Sequence, residues 1–354
     1  MIKKIPHVLA CLLLLSACEK EENNNSNSLP LNMDGVFIVN EGSFQDANAS
    51  VSFYADDGSS SNSDLYKDVN GIVLGDLLQS MSIFNEKAYL CVNNSQKVVV
   101  VNMDNFKRIG TITGMNSPRY FAGLNTGTGF VSDWASNSVY KINLSTNTIV
   151  DSISCNNGPE EMIVSDNRLF ICNSGGFGDD STVTVVDLSS FTVSNTIVTG
   201  INPTHIRKDS NGKLWVLCKG SLGSDYTPTP DDAGGSLIRI NPQTLSIEAS
   251  IPFSYDQHPI RLNITADGNT LYFLNSSSPY GGAVYRMGIN ENTVPASPLI
   301  NREFYGLGIH PGNGNIYCGK AVFTSNTHLL RYDNSGNLID SAEVGIGPNS
   351  FVFN

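Results

Sequence analysis

The sequence predicts an all-β protein, a seven-bladed β-propeller with four-stranded blades whose ring is closed by the C-terminal strand pairing into blade one. Three observations predict it. A short strand-forming unit recurs along the chain at a period of about 45 residues, as propeller blades do. The strands it implies are apolar on consecutive positions. The chain opens on an incomplete copy of the unit and ends on an orphan piece of one.

The first recurring piece is an aromatic residue followed by apolar ones and a polar turn. Its aromatics are Phe37, Tyr89, Phe130, Phe170, Trp215, Tyr272 and Tyr317, successively 52, 41, 40, 45, 57 and 45 residues apart. A second strand follows each, as in Val98-Val99-Val100-Val101 and Leu237-Ile238-Arg239-Ile240. A third piece precedes most aromatics and usually begins with proline: Ser117-Pro118-Arg119-Tyr120, Gly158-Pro159-Glu160-Glu161, Asn202-Pro203-Thr204-His205 and His258-Pro259-Ile260-Arg261. Degenerate copies are Leu78-Gln79-Ser80-Met81 and Phe304-Tyr305-Gly306-Leu307. A more polar fourth strand closes most blades. Strands that are apolar throughout suit sheets covered on both faces by their neighbours. No stretch sustains a 3.6-residue apolar period, so helices are not expected. The first unit lacks its proline-led strand, and Gly347-Pro348-Asn349-Ser350-Phe351 at the other end supplies one, so strand exchange should close the ring and hide its edge.

The N-terminus predicts export. Lys3 and Lys4 precede an uncharged apolar run over residues 8–15 and the small residues Ser16 and Ala17, the pattern of a signal peptide over residues 1–17. The run is too short to span a membrane as a helix. Leu15-Ser16-Ala17-Cys18 resembles the bacterial lipobox, which implies a lipid thioether on Cys18; a plain signal peptide cleaved elsewhere is the alternative. Residues 18–33, acidic and rich in Asn and Ser, have nothing to bury and read as a flexible tether. The propeller then occupies 34–354.

The net charge of −12 becomes −14 when the two lysines of the signal are removed, and no Lys/Arg run exists, which argues against nucleic acid and against anionic lipid. The membrane would be reached by the lipid anchor alone. Beyond Cys11 and Cys18 stand Cys91, Cys155, Cys172, Cys218 and Cys318, an odd set expected to be mostly buried free thiols. No Cys/His spacing suggests a metal, and no cofactor is expected.

In a propeller the inner strand begins on the face that carries the loops between strands two and three. Here those loops are the long ones: 41–49, 134–137, 174–180, 219–235, 276–282 and 320–327. They raise Phe44, Trp134, Phe177, Tyr226, Tyr280 and Phe323, with Asn93 and Asn173 beside them, as candidate rim contacts. The alternative is that each ring folds back onto its own blade. The inner-strand starts offer a central funnel of Gln79, Arg119, Tyr120, Glu160, Glu161, His205, Arg261 and Tyr305, a ligand site or a solvated, mutually paired set. No Gly-x-Ser-x-Gly turn or other catalytic constellation is present. His205 beside two Glu and two Arg keeps a lactonase-type hydrolase open as an alternative to a binding protein.

Three stretches carry a family resemblance. Phe37-Ile38-Val39-Asn40-Glu41-Gly42-Ser43-Phe44, Val69-Asn70-Gly71-Ile72-Val73-Leu74-Gly75-Asp76 with Gln79-Ser80-Met81 after it, and Ser117-Pro118-Arg119-Tyr120 resemble the YncE-like surface propeller lipoproteins of Bacteroidetes. Among these, the BtuG-like proteins capture cobalamin and sit on the TonB-dependent vitamin B12 transporter. The resemblance implies the propeller fold, an outer-membrane lipoprotein facing the cell exterior, and capture of a corrinoid for transfer to such a transporter. A glycan or a protein partner is the alternative occupant. The resemblance assigns no individual ligand residue.

Overall fold

Short runs of apolar residues punctuated by Asn-, Asp- and Gly-rich turns fold here as antiparallel strands. The structure is a computed structural model, which describes residues 34–222, 232–278, 280–320 and 322–354. The signal peptide, Cys18, the tether and Tyr226 lie outside the described residues.

The chain begins with β1 (Gly35–Asn40), β2 (Ser50–Ala55), the two-residue β3 (Ser61–Asn62) and a short helix α1 (Leu65–Asn70). Five separate four-stranded sheets follow. They are β4 (Leu78–Phe84) with β5 (Lys87–Val92), β6 (Lys97–Asn102) and β7 (Arg108–Ile112); β8 (Pro118–Asn125) with β9 (Thr128–Asp133), β10 (Ser138–Asn143) and β11 (Thr148–Ser154); and β12 (Pro159–Ser165) with β13 (Arg168–Asn173), β14 (Thr182–Asp187) and β15 (Thr192–Val198). Next come β16 (Pro203–Lys208) with β17 (Leu214–Cys218), β18 (Ser236–Ile240) and β19 (Ile247–Pro252), then β20 (Ile260–Ile264) with β21 (Thr270–Asn275), β22 (Gly282–Gly288) and β23 (Ile300–Phe304). The chain ends with β24 (Gly306–Ile309), β25 (Ile316–Gly319), β26 (Thr327–Tyr332), β27 (Leu338–Val344) and β28 (Pro348–Phe353).

This is an all-β propeller of four-stranded blades. The repeats do not emerge as seven separate sheets. Besides the five, the remaining eight strands form one sheet in the order β27-β26-β25-β24-β28-β1-β2-β3. The cause is local: β24 and β28 meet at a single parallel pair, Leu307 with Ser350. The C-terminal strand pairs antiparallel with β1, with Val36 opposite Phe353 and Ile38 opposite Phe351.

The inner strands succeed one another around an axis. β4 packs beside β8, β8 beside β12, β12 beside β16, β16 beside β20, β20 beside β24, β24 beside β28, and β28 returns to β4. Polar side chains stitch neighbours together: Ser80 Oγ donates to the Arg119 carbonyl (2.6 Å), Asn263 Nδ2 to the Leu307 carbonyl (3.1 Å) and Asn349 Nδ2 to the Leu78 carbonyl (3.2 Å). Between sheets lie apolar layers; Phe170, Cys172 and Val185 of one sheet pack on Ile206, Val216 and Ile238 of the next. The second strands are buried on both faces, as their unbroken apolar runs require.

Two local expectations are corrected. Helix α1 was not expected, because six residues are too few to display a period. It is set by local signals instead: the Asp64 carboxylate accepts from Lys67 N (3.3 Å), Gly71 ends it in the left-handed region, and Leu65 and Tyr66 are buried. Phe304, read as part of an inner strand, instead ends the outer strand β23, and Tyr305 stands between the two.

Candidate ligand-binding mouth

One backbone contact repeats around the ring and defines the mouth. The residue after the second strand donates to the residue ahead of the inner strand: Asn93 N to Leu77 O (2.8 Å), Trp134 N to Ser117 O (3.0 Å), Ser174 N to Gly158 O (2.8 Å) and Lys219 N to Asn202 O (3.0 Å); in the next two repeats the donor is on the inner-strand side, His258 N to Ser276 O and Tyr305 N to Gly319 O, the last residue of β25 (both 2.8 Å). Glu41 N to Gly347 O (2.9 Å) repeats it where the chain closes. The loops after the second strands therefore share a face with the inner-strand starts.

Just inside this lashing, the inner strands bulge. Pairing shifts between Leu78 and Ser80, Pro118 and Phe121, Pro159 and Met162, Pro203 and His205, and Ile260 and Asn263. Each shift inserts one extra residue, which bends the strand and re-aims side chains. The inserted stretches hold Gln79, Arg119 with Tyr120, Glu160 with Glu161, Thr204, and Arg261. The proline-led unit of the sequence is thus a bulge unit, and it turns the funnel residues toward the axis. Arg261 takes φ +59, uncommon for a side-chain-bearing residue.

The eight predicted funnel residues divide into two groups. Gln79, Tyr120, Glu161, His205 and Arg261, joined by Arg207, line a central cavity of about 130 Å³. Arg119, Glu160 and Tyr305 belong instead to two aromatic clusters above it. In the first cluster Arg119 forms a two-pronged pair with Glu160 (Nη2 to Oε1 2.7 Å, Nε to Oε2 3.2 Å) and its guanidinium lies 4.8 Å from the Trp134 ring centre. Trp134 Nε1 donates to Ser174 Oγ (3.1 Å), and Phe177 leans on the indole at 5.0 Å. Gly158 makes room: with φ +62, any Cβ there would come within 2.5 Å of Trp134 Nε1. In the second cluster Phe323 stands edge-on to Tyr305 at 5.1 Å, and the Tyr305 hydroxyl donates to Glu41.

Links between neighbouring inner strands run around the floor. Gln79 Nε2 reaches the Tyr120 hydroxyl (3.3 Å), Arg119 meets Glu160, and Glu161 Oε2 accepts from Arg207 Nη1 (2.5 Å) and from Ile206 N (2.9 Å). Arg261 Nε donates to the Tyr305 carbonyl (3.2 Å), with its guanidinium 4.8 Å from the Tyr305 ring centre. His205 is 8% exposed and its only hydrogen-bond contact among the described residues is Nδ1 with Thr204 Oγ1 (2.9 Å). Burial holds the His205 imidazole well below its ordinary range, and Arg207, Arg261 and Arg119 push the same way. Burial, reinforced by Glu160, pushes the Tyr120 hydroxyl up to about 12. At neutral pH the floor therefore sets the Arg207–Glu161 pair and the Arg261 guanidinium beside a neutral imidazole and a protonated phenol.

The rim residues fare unevenly. Phe177 is 98% exposed, Phe44 64% and Tyr280 63%, while Trp134 is half-buried and Phe323 is partly covered. Asn93 reaches Ser117 Oγ (2.8 Å) and is committed to the neighbouring sheet. Asn173 is corrected: it is fully buried, donating to the Thr182 and Thr184 hydroxyls at 2.9 Å, and ties β13 to β14. Sequence reasoning passed over Arg207, Glu41 and Lys219. Arg207 sits one turn of the β alternation beyond His205, which was the only available signal. Lys219 is largely enclosed, and burial holds its amine below the ordinary lysine value against the pull of Glu160. All five described cysteines are free thiols, with Cys155 alone less than fully buried, and no group of three His, Cys, Asp or Glu among the described residues could hold a metal.

Residues 34–354 match a single domain family of unknown function along their whole length. The chain belongs to the DUF5074 family. No curated protein matches this family member. Among solved structures it is similar to a quinoprotein alcohol dehydrogenase-like protein of Bacteroides thetaiotaomicron (17% identity, TM-score 0.65, covering 91% of this chain and 79% of that one). It is similar also to a putative 6-phosphogluconolactonase of Bacteroides fragilis (12%, TM-score 0.65, 91% and 98%) and to the periplasmic gluconolactonase of Pseudomonas aeruginosa (12%, TM-score 0.63, 90% and 98%). At such identities the likeness is one of fold.

Proposed function

We propose that this DUF5074 protein is a cell-surface lipoprotein that captures a large ligand across its mouth, most specifically a corrinoid such as cobalamin, and passes it to an outer-membrane TonB-dependent transporter. The observation that carries this reading is the stand of exposed rings, Phe177, Phe44 and Tyr280, over a polar floor mounted on rigid strand starts. Exposed aromatics on a fixed scaffold bind with little ordering cost. A corrinoid is a broad disc edged with amides, and the floor and rim offer Tyr, Arg and Gln groups to meet them. The central cavity is far below the roughly 300–1,000 Å³ of drug-sized pockets, so the disc would lie over the mouth rather than enter the channel.

Two further parts of the reading rest on topology. We count seven blades, taking the eight-stranded sheet as two that touch at one bridge; the cycle of inner strands from β4 to β28 supports the count. β1 enters at Gly35, opposite Ala55, and reaches the mouth only at Asn40 and Glu41. A lipid on Cys18 would accordingly be attached, through the tether, on the face opposite the mouth, which leaves the mouth free to face the exterior.

Titration calorimetry with cyanocobalamin tests the reading, together with gel filtration of the mixture. Saturable heat and red colour co-eluting with protein are expected; neither appearing removes the corrinoid, and a glycan array then tests the alternative occupant. A lactonase-type hydrolase is the second reading, favoured by the neutral His205 in the cavity. Lactone hydrolysis abolished in His205→Ala would establish it, and hydrolysis absent from the unaltered protein would end it.

A further inference from the structure

The side-chain links between neighbouring inner strands are uneven around the axis. Gln79–Tyr120 joins β4 to β8, Arg119–Glu160 joins β8 to β12, and Glu161–Arg207 joins β12 to β16. Arg261 reaches across to Tyr305 ahead of β24, Tyr305 to Glu41, and Asn349 of β28 back to the Leu78 carbonyl of β4. Among the described residues no side-chain hydrogen bond or ion pair joins strand β16 to strand β20, nor β24 to β28, although His258 Nδ1, ahead of β20, lies 3.1 Å from the Lys219 carbonyl after β17. β16 and β20 each present unused side-chain nitrogen atoms to the cavity. On β20, Arg261 spends only Nε on a carbonyl; its Nη1 and Nη2 have no hydrogen-bond partner and no carboxylate lies within ion-pair distance among the described residues. On β16, His205 is more than nine-tenths buried and its Nε2 is unpartnered. Both line the same cavity, and Tyr120 and Arg207 line it with them.

We propose that the cavity is a binding site for a small monocarboxylate, held between Arg261 and His205, which adds a side-chain link between β16 and β20. The fork of a guanidinium matches the two oxygens of a carboxylate. Of the two guanidiniums in the lining, Arg207 is paired with Glu161 and Arg261 has no carboxylate at ion-pair distance, Glu41 acting on it only from farther off, so one unpaired guanidinium faces the cavity, which suits a monoanion and disfavours a dianion. A bound carboxylate selects the His205 tautomer with its proton on Nε2, in which Nδ1 accepts from the Thr204 hydroxyl (2.9 Å) at the expense of that hydroxyl's longer contact with the Leu217 carbonyl (3.4 Å); Nε2 is then a second donor and the Tyr120 hydroxyl a third. The volume of about 130 Å³ equals that of about four liquid waters, room for a ligand of the size of acetate or lactate. Arg261 is held at positive φ on a bulge, and strained side chains of this kind cluster at ligand clamps. The site lies beneath the mouth and stands whether or not a corrinoid binds above it.

The test is calorimetry and ligand-observed NMR on the full chain with sodium lactate, using lactamide as the neutral isostere and citrate as the oversized anion. Lactate is expected to bind saturably at millimolar concentration, lactamide and citrate not at all, and Arg261→Gln to weaken lactate by at least about tenfold. A melting curve reports whether Arg261→Gln folds; should it not, His205→Asn carries the same expectation of weakened binding. No saturation by about 10 mM lactate, equal binding of lactamide, or unaltered affinity in the variant overturns the proposal. Cyanocobalamin titrated into the same samples reports separately on the mouth.

Discussion

Replacing Phe351 with alanine isolates the contribution of ring closure to stability. Phe351 is on the exchanged strand β28, opposite Ile38 of β1, and only 8% exposed. Its ring lies 6.0 Å from that of Tyr317, and its Cβ occupies the place that a side chain on Gly308 would need, 2.6 Å away. Phe351 thus fastens β28 to both its neighbours. Buried Phe-to-Ala changes cost about 3–5 kcal/mol, and a site near the funnel that can relax falls at the lower end, about 3 kcal/mol. At roughly 2–4 °C per kcal/mol, the melting temperature should drop by about 6–12 °C. Calorimetric and circular-dichroism melts of Phe351→Ala are read against Phe44→Ala, whose exposed ring should matter by less than about 0.5 kcal/mol. Removal of residues 348–354 should go further and leave β1 with an open edge. If Phe351→Ala melts cooperatively within about 1 °C of the unaltered protein, the exchanged strand does not lock the ring and the reasoning fails.

Glu160→Gln should cost roughly 3 kcal/mol in urea unfolding, because it leaves the Arg119 guanidinium enclosed without its carboxylate. Trp134→Ala should weaken ligand capture and also lower stability by about 1–2 kcal/mol, since the indole carries both the Ser174 hydrogen bond and the Arg119 stack; loss of stability without loss of capture would make it purely structural. His205 has a folded pKa below its unfolded value of 6.5, so the unfolded chain takes up the proton first and stability falls as pH drops below 6.5. His205→Gln should flatten that decline between about pH 6.5 and 5, and an unchanged slope in pH-dependent melts would assign it to other groups. Burial holds the Cys91 and Cys155 thiols up at about 12, so a thiol reagent should label the native protein slowly and at Cys155 alone, with the four buried thiols appearing only on denaturation.

The sequence displayed the blade pattern because propeller sheets are covered on both faces, which forces unbroken apolar runs such as Leu169-Phe170-Ile171-Cys172 that no half-exposed strand would carry. The exchanged strand was legible for the same reason, as an unpaired copy of a repeated unit. Helix α1 was not, since a six-residue helix depends on a cap at Asp64 and a glycine at Gly71 rather than on a period. Asn173 was misjudged because Asn at a strand end serves equally as a loop donor and as a buried latch, and only the positions of Thr182 and Thr184 decide between them. The funnel was foreseen as a set of residues but not as two groups. Whether Arg119 turns up toward Trp134 or down into the cavity depends on contacts with a neighbouring sheet, which local sequence does not encode.

The bulges explain why charged residues occupy the most crowded part of the molecule. Below each bulge the inner strand keeps its ladder and offers small polar groups such as Ser80, Ser82 and Asn263 to the adjacent strand, a contact that needs close approach. At the bulge the ladder is interrupted, and an extra residue must leave the sheet in the only direction not filled by a neighbouring blade, toward the axis. There the convergence of inner strands brings side chains from different sheets within reach, so charges can be paired as they are placed, Arg119 with Glu160 and Glu161 with Arg207. A paired charge of this kind fixes neighbouring sheets relative to one another at a reduced desolvation cost, because both arginine side chains stay partly exposed, Arg119 17% and Arg207 26%. Arg261 follows the same bulge rule yet meets a carbonyl and an aromatic face in place of a carboxylate. Unlike Arg119 and Arg207 it therefore keeps a guanidinium edge without a carboxylate at ion-pair distance, and that edge is available to a ligand.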